Sequence, residues 1–133
     1  MIKSCPIRVD ISPNKNKKGF FRITPHGSID ADTHDIFRQL VKPVLAQSPK
    51  GLVIDLKDVD YISSAGVGVI FAIRTLIKEK GGRLAFCNLK PQIHKLFDVM
   101  KVLPKNMIFR SLEEADAYLY AIMDAEIKKQ SQK

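Results

Sequence analysis

At 133 residues the chain has the length of one domain, long enough to bury a core without disulfide or metal staples. A 45% hydrophobic and 27% charged composition excludes wholesale disorder, and the longest strongly apolar stretch, Ala65 to Ile73, falls short of the roughly 20 residues a bilayer span needs. The formal net charge of +8 favours acidic partners or anionic surfaces, although the lysines are not interleaved with aromatics as a single-strand stacking platform would require, so direct nucleic-acid binding is not expected.

In chain order, Ile7 to Ser12 alternates apolar and polar residues, as a half-buried strand does. The lysine-rich turn from Pro13 to Gly19 carries the cluster Lys15, Lys17 and Lys18, and Phe20 to Thr24 reads as a second strand that Pro25-His26-Gly27 breaks. Asp30 or Asp32 is placed to cap a helix over Thr33 to Gln47, with Ile36, Phe37, Leu40, Val41, Val44 and Leu45 at helical spacing and Pro43 predicting a kink or a restart. Gly51 to Leu56 is a near-continuous apolar run, the pattern of a strand buried on both faces. A helix is expected from Ser64 to Lys80, stopped by Gly81-Gly82, and a short buried strand from Arg83 to Cys87. Pro91 opens a third helix that runs to about Met100, Met107 to Phe109 forms a short strand, and Ser111 with Glu114 makes a capping box for a last helix ending near Ile127. The tail with Lys128, Lys129 and Lys133 is expected to fray. The resulting order, β-β-α-β-α-β-α-β-α, predicts a single α/β domain with crossover connections, its core over about residues 5–125.

The chemistry-bearing patterns are sparse. Cys5 and Cys87 make no CxxC, which excludes a disulfide framework or zinc site and fits a reducing cytoplasm. The start, Met1-Ile-Lys-Ser-Cys-Pro6, lacks the apolar region of a signal peptide, and a cytoplasmic location is expected. G-x-S-x-G, the phosphate-binding glycine loops and metal-ligand spacings are absent, and His26, His34 and His94 stand in no catalytic motif. Neither an enzyme nor a cofactor is expected. What stands out is Asp60-Tyr-Ile-Ser-Ser-Ala-Gly-Val-Gly-Val-Ile70, where a serine pair, Ser63-Ser64, opens a helix of small residues. Serine is a favoured N-cap, and the glycines permit close packing. The same helix N-terminus also suits an anion, such as a phosphate on Ser64.

Several segments in order, Gly27-Ser-Ile-Asp30, Gly51-Leu-Val-Ile-Asp-Leu56, the serine loop and Lys80-Gly-Gly-Arg-Leu84, resemble the STAS domain family, named for sulfate transporters and anti-sigma factor antagonists. The resemblance implies a small mixed sheet of about five strands, packed mainly on one face by about four helices. It also implies partner switching: the domain binds a serine kinase that doubles as an anti-sigma factor, is released once phosphorylated, and is reset by a phosphatase. By motif position Ser64 is the acceptor, with Ser63 as the alternative. Asp30, Ile62, Ser63, Ser64, Gly66 and Val67 then make up the partner-binding region. Ser63 stands where well-characterised antagonists often carry an acidic residue. Two other family roles are a non-phosphorylated adaptor in a signalling scaffold or lipid transporter and, less favoured, the cytoplasmic domain of an anion transporter. A monomer or weak dimer is expected.

Overall fold

The computed structural model describes residues 7–101, 104 and 107–131, with side chains to residue 125. Cys5, Lys133 and the side chains of Lys128 and Lys129 lie outside the described residues. The elements are β1 (Arg8–Pro13), β2 (Phe20–His26), α1 (His34–Ala46), β3 (Gly51–Asp55), α2 (Ser64–Glu79), β4 (Arg83–Cys87), α3 (Pro91–Met100), β5 (Ile108–Phe109) and α4 (Leu112–Ser131). The five strands lie in sequence order across one sheet. β1 is antiparallel to β2, and every other neighbouring pair is parallel. A hairpin can join only the antiparallel pair, so α1, α2 and α3 serve as the crossovers that parallel strands demand.

Alternation along β3 explains why both of its faces are buried. Leu52 and Ile54 join Ile23, Leu84 and Phe86 in a core closed by α1, α2 and α3. Val53 points the other way, with Phe20, Ala85 and Cys87, against Ala115 and Leu119 of α4. The sheet therefore carries three helices on one face and α4 on the other. The larger core includes an edge-on ring pair, Phe86 with Phe97, at 6.0 Å between centroids.

Three local expectations are corrected by tertiary context. β2 is not broken at Pro25: it runs to His26, with Pro25 opposite Val9. Past Ile23 the strand no longer pairs with β3, so a residue lacking an N–H is tolerated there. Helix α1 passes through Pro43 as one element instead of restarting there, because burial of Phe37, Val41, Val44 and Leu45 offsets the lost hydrogen bond. α4 continues past Ile127 to Ser131. Its start follows the capping-box expectation with one change of partner. Ser111 Oγ accepts from Glu114 N at 3.2 Å, while the Glu114 carboxylate accepts from the N–H of Arg110 rather than Ser111.

Candidate functional site

The parallel strands β2 and β3 deliver two loops to the same end of the sheet, residues 27–33 and 56–63. Backbone hydrogen bonds stitch these loops together. Gly27 N donates to Asp58 O at 3.1 Å, Ile29 N to Tyr61 O at 2.9 Å, and Ser63 N to Ile29 O at 2.8 Å. The result is a one-residue parallel bridge between Ile29 and Ile62, whose side chains are both buried. The serine loop thus adds a fragment of strand to the turn that follows β2.

Asp30 organises the first loop. Its Oδ1 accepts from the N–H groups of Asp32 at 2.9 Å and Thr33 at 3.1 Å, and its carbonyl accepts from His34 N at 2.8 Å. Buried Thr33 locks the turn: its hydroxyl donates to Ser28 O at 2.6 Å and accepts from Asp30 N at 2.9 Å. The N-cap position of α1 belongs to Thr33 rather than to Asp30 or Asp32, although Thr33 gives the helix no side-chain cap. Asp30 instead serves the turn just before it, through the short-range side-chain bonds aspartate favours.

Ser63 is the N-cap of α2. Its extended backbone (φ −81°, ψ 173°) turns the side chain onto the helix, and its Oγ accepts from Gly66 N at 3.3 Å. The Ser63 carbonyl takes Val67 N at 2.9 Å. Ser63 is half-buried, whereas Ser64, at the first position of the helix, is exposed. Ile62, Gly66 and Val67 are buried beneath the pair. Of the six residues expected at the site, Asp30, Ser63 and Ser64 therefore reach the surface, and the other three form the floor. The N–H groups of the first turn that the helix cannot itself satisfy face the same opening, with the positive end of the dipole behind them.

Gly66 sets the geometry of that floor. A Cβ there would lie 2.4 Å from Ile29 O and 2.8 Å from the Cγ2 atoms of both Ile29 and Ile62. Only glycine lets α2 approach the stitched loops this closely. Gly68, two residues on, has nothing within 4 Å of where its Cβ would be.

Side chains distant in sequence brace the serine loop. The Asp60 carboxylate pairs with Lys90, and Gln92 Nε2 donates to Asp60 O at 3.3 Å. The ring nitrogens of His26 lie 2.7 Å from Asp10 Oδ2 and 2.8 Å from Asp58 Oδ2, joining β1 to the loop. His26 reads from sequence as a loop residue without a role, and Lys90 as a scattered surface cation. Their partners lie at least 16 positions away, which local patterns do not reveal. The Asp30-x-x-Thr33 spacing, an aspartate three residues before a hydroxyl, was the available signal for the locked turn. Among the described residues no group of three His, Cys, Asp or Glu suits a metal ion, and no helix is long and apolar enough to cross a membrane.

The chain and its fold have counterparts in known proteins. The family model for the STAS domain matches residues 13–115. The chain is 30% identical over 94 residues to an anti-sigma F factor antagonist of Paenibacillus polymyxa, covering 68% of this chain and 80% of that protein. It is 34% identical over 93 residues to an anti-sigma-B factor antagonist of Bacillus subtilis, covering 70% and 82%. In fold it resembles the crystal structure of an anti-sigma factor antagonist from Mycobacterium paratuberculosis, with a TM-score of 0.74 at 21% identity over 90% of this chain and 99% of that one. With a family match over most of its length and relatives at this identity, the chain belongs to the STAS domain family.

Proposed function

We propose that this STAS domain is a non-enzymatic, cytoplasmic partner-switching protein. In this reading it binds an anti-sigma factor that is also a serine kinase, is released when that kinase phosphorylates Ser64, and is reset by a phosphatase. The observation that carries the reading is the division of labour in the serine pair. Ser63 Oγ is committed to Gly66 N, while the Ser64 hydroxyl stands exposed in the first turn of α2, beside the Asp30 turn. The names of the relatives, antagonists of anti-sigma factors, supply the partner class.

The physical consequence of phosphorylation follows from the surroundings. A phosphate brings about −1.5 to −2 charges, which the helix N-terminus can hold without refolding. The same charge beside the Asp30 turn makes the surface locally negative, so an acidic partner face docked there is repelled and an apolar one must desolvate the phosphate. Ser63 keeps the capping role that an aspartate at its position would fill, since both side chains offer an oxygen to the N3 amide.

A second reading, a STAS adaptor that is never phosphorylated, is favoured by one feature: no carboxylate directly precedes Ser64. The two separate cleanly. The protein recovered from its own cells and resolved by phosphate-affinity electrophoresis should carry one phosphate, mapped to Ser64 by mass spectrometry. Ser64→Ala should abolish it. Ser63→Ala should retain it while costing about 1 kcal/mol of stability through the lost cap. A phosphate on Ser63, or none under any growth condition, would sink the Ser64 assignment.

A further inference from the structure

The end of the sheet opposite the serine loop holds the excess positive charge that the switching site leaves unused. Strands β2 to β5 begin there, and α1, α2 and α3 end there. Lys15, Lys17 and Lys18 occupy the β1–β2 turn, Lys50 precedes β3, Lys78 closes α2, and Lys101 follows α3; all six are exposed. The acids toward that end, among the described side chains, are Glu79, Asp98, Asp116 and Asp124. Most of the remaining acids cluster around the serine loop and the starts of α1 and α4. Helix dipoles favour one or two cations at each helix end, and so account for Lys78 and Lys101. They do not account for three lysines in a β-turn.

That turn is rigidly presented. Asn14 Oδ1 accepts from Asn16 N at 2.8 Å and Lys17 N at 3.2 Å, Asn14 Nδ2 bonds the Tyr120 hydroxyl, and the Lys17 ammonium lies 5.4 Å from the centre of the Tyr120 ring. Lys15 and Lys18 in the same turn are exposed. At the same end α2 and α3 expose aliphatic side chains: Leu76 is 41% exposed, Val99 72% and Met100 43%.

We infer that this basic end is a second interaction surface, and that its partner is an anionic phospholipid surface. The cations sit on separate turns across one end of the molecule rather than along a groove, which suits a broad planar partner. The aliphatic side chains exposed near the ends of α2 and α3, at the same end of the sheet, suit the boundary between headgroups and acyl chains. A nucleic acid would gain nothing from those aliphatics, and Tyr120, the aromatic ring beside the lysine turn, is already covered by Lys17.

The test is co-sedimentation of the full chain with vesicles of phosphatidylcholine containing about 30% phosphatidylglycerol, at about 0.1 M salt. Binding should require the anionic lipid and fall steeply with added salt. The triple variant Lys15→Gln, Lys18→Gln, Lys50→Gln should bind about a hundredfold more weakly, or about fivefold for each charge removed. Val99→Ser should weaken binding about fivefold without altering the salt dependence. Ser64→Asp, at the other end of the molecule, should bind vesicles like wild type, so this surface and the switching site stand or fall separately. Equal binding to pure phosphatidylcholine, an unaffected triple variant, or tighter binding to duplex DNA than to vesicles at the same salt would overturn the lipid assignment.

Discussion

Gly66→Ala is expected to cost about 3 kcal/mol of unfolding free energy, by far more than a substitution at Gly68. The added methyl at residue 66 would meet a backbone carbonyl oxygen at 2.4 Å, and that carbonyl, Ile29 O, is held by Ser63 N at 2.8 Å. It cannot rotate away as a flexible side chain would. Either α2 lifts from the loops, exposing Ile29 and Ile62, or the bridge between these two residues breaks. Both routes lose buried apolar area and leave backbone groups unpaired. Gly68→Ala supplies the contrast. With open space around it and a helical backbone, alanine there should stabilise by about 0.5–1 kcal/mol, because glycine loses more conformational freedom on entering a helix. Urea denaturation of the two variants beside wild type reads both signs. A Gly66→Ala protein within about 0.5 kcal/mol of wild type would show that the loops are less tightly stitched than the geometry requires.

The same pair of glycines shows where the sequence was readable and where it was not. Helix α2 was legible because apolar spacing, a serine cap and Gly81-Gly82 agree with one another; Gly81 adopts the left-handed φ of +79° that such a stop needs. β4 and α3 fall at their expected bounds for a similar reason: an apolar run between Gly82 and Asn88, and a proline in the first helical turn, are local signals. The extent of β2 was not local. Whether Pro25 ends a strand depends on which neighbour still pairs beyond Ile23, and that is decided by β1 and β3. The division of roles within the serine pair was equally hidden. Either serine could cap by its own chemistry; the bond from Ser63 N to Ile29 O, across 34 positions, fixes Ser63 as the cap and leaves Ser64 outside. Gly66 and Gly68 look alike in the sequence, and only the approach of Ile29 tells them apart.

Cys87 is expected to be chemically silent in the folded protein. It lies fully buried in β4 between the sheet and α4, and burial, with the nearby Asp55 carboxylate adding to it, pushes the thiol up from 9.0 to about 12. At any pH well below both values the thiolate population falls by about a thousandfold, since each unit is a factor of ten, and the thiolate is the reactive species. In a Cys5→Ser background, alkylation of Cys87 by iodoacetamide near neutral pH should therefore be at least about a hundredfold slower in the native protein than in denaturant. The stability consequence has a definite sign. The folded state holds the proton to higher pH than the unfolded chain does, so the unfolded state binds fewer protons between pH 9 and about 12. The contribution of the buried thiol is complete below pH 9 and is lost progressively as pH rises through that window, at up to about 1.4 kcal/mol per unit. Cys87→Ala removes this dependence while leaving the titration of lysines and tyrosines in place. The gap in stability between wild type and Cys87→Ala should accordingly move in favour of the alanine variant by about 2–3 kcal/mol between pH 9 and 11. Parallel pH–stability curves for the two proteins would mean that the thiol ionises in the folded state as easily as in the unfolded chain, and that α4 does not seal this face of the sheet.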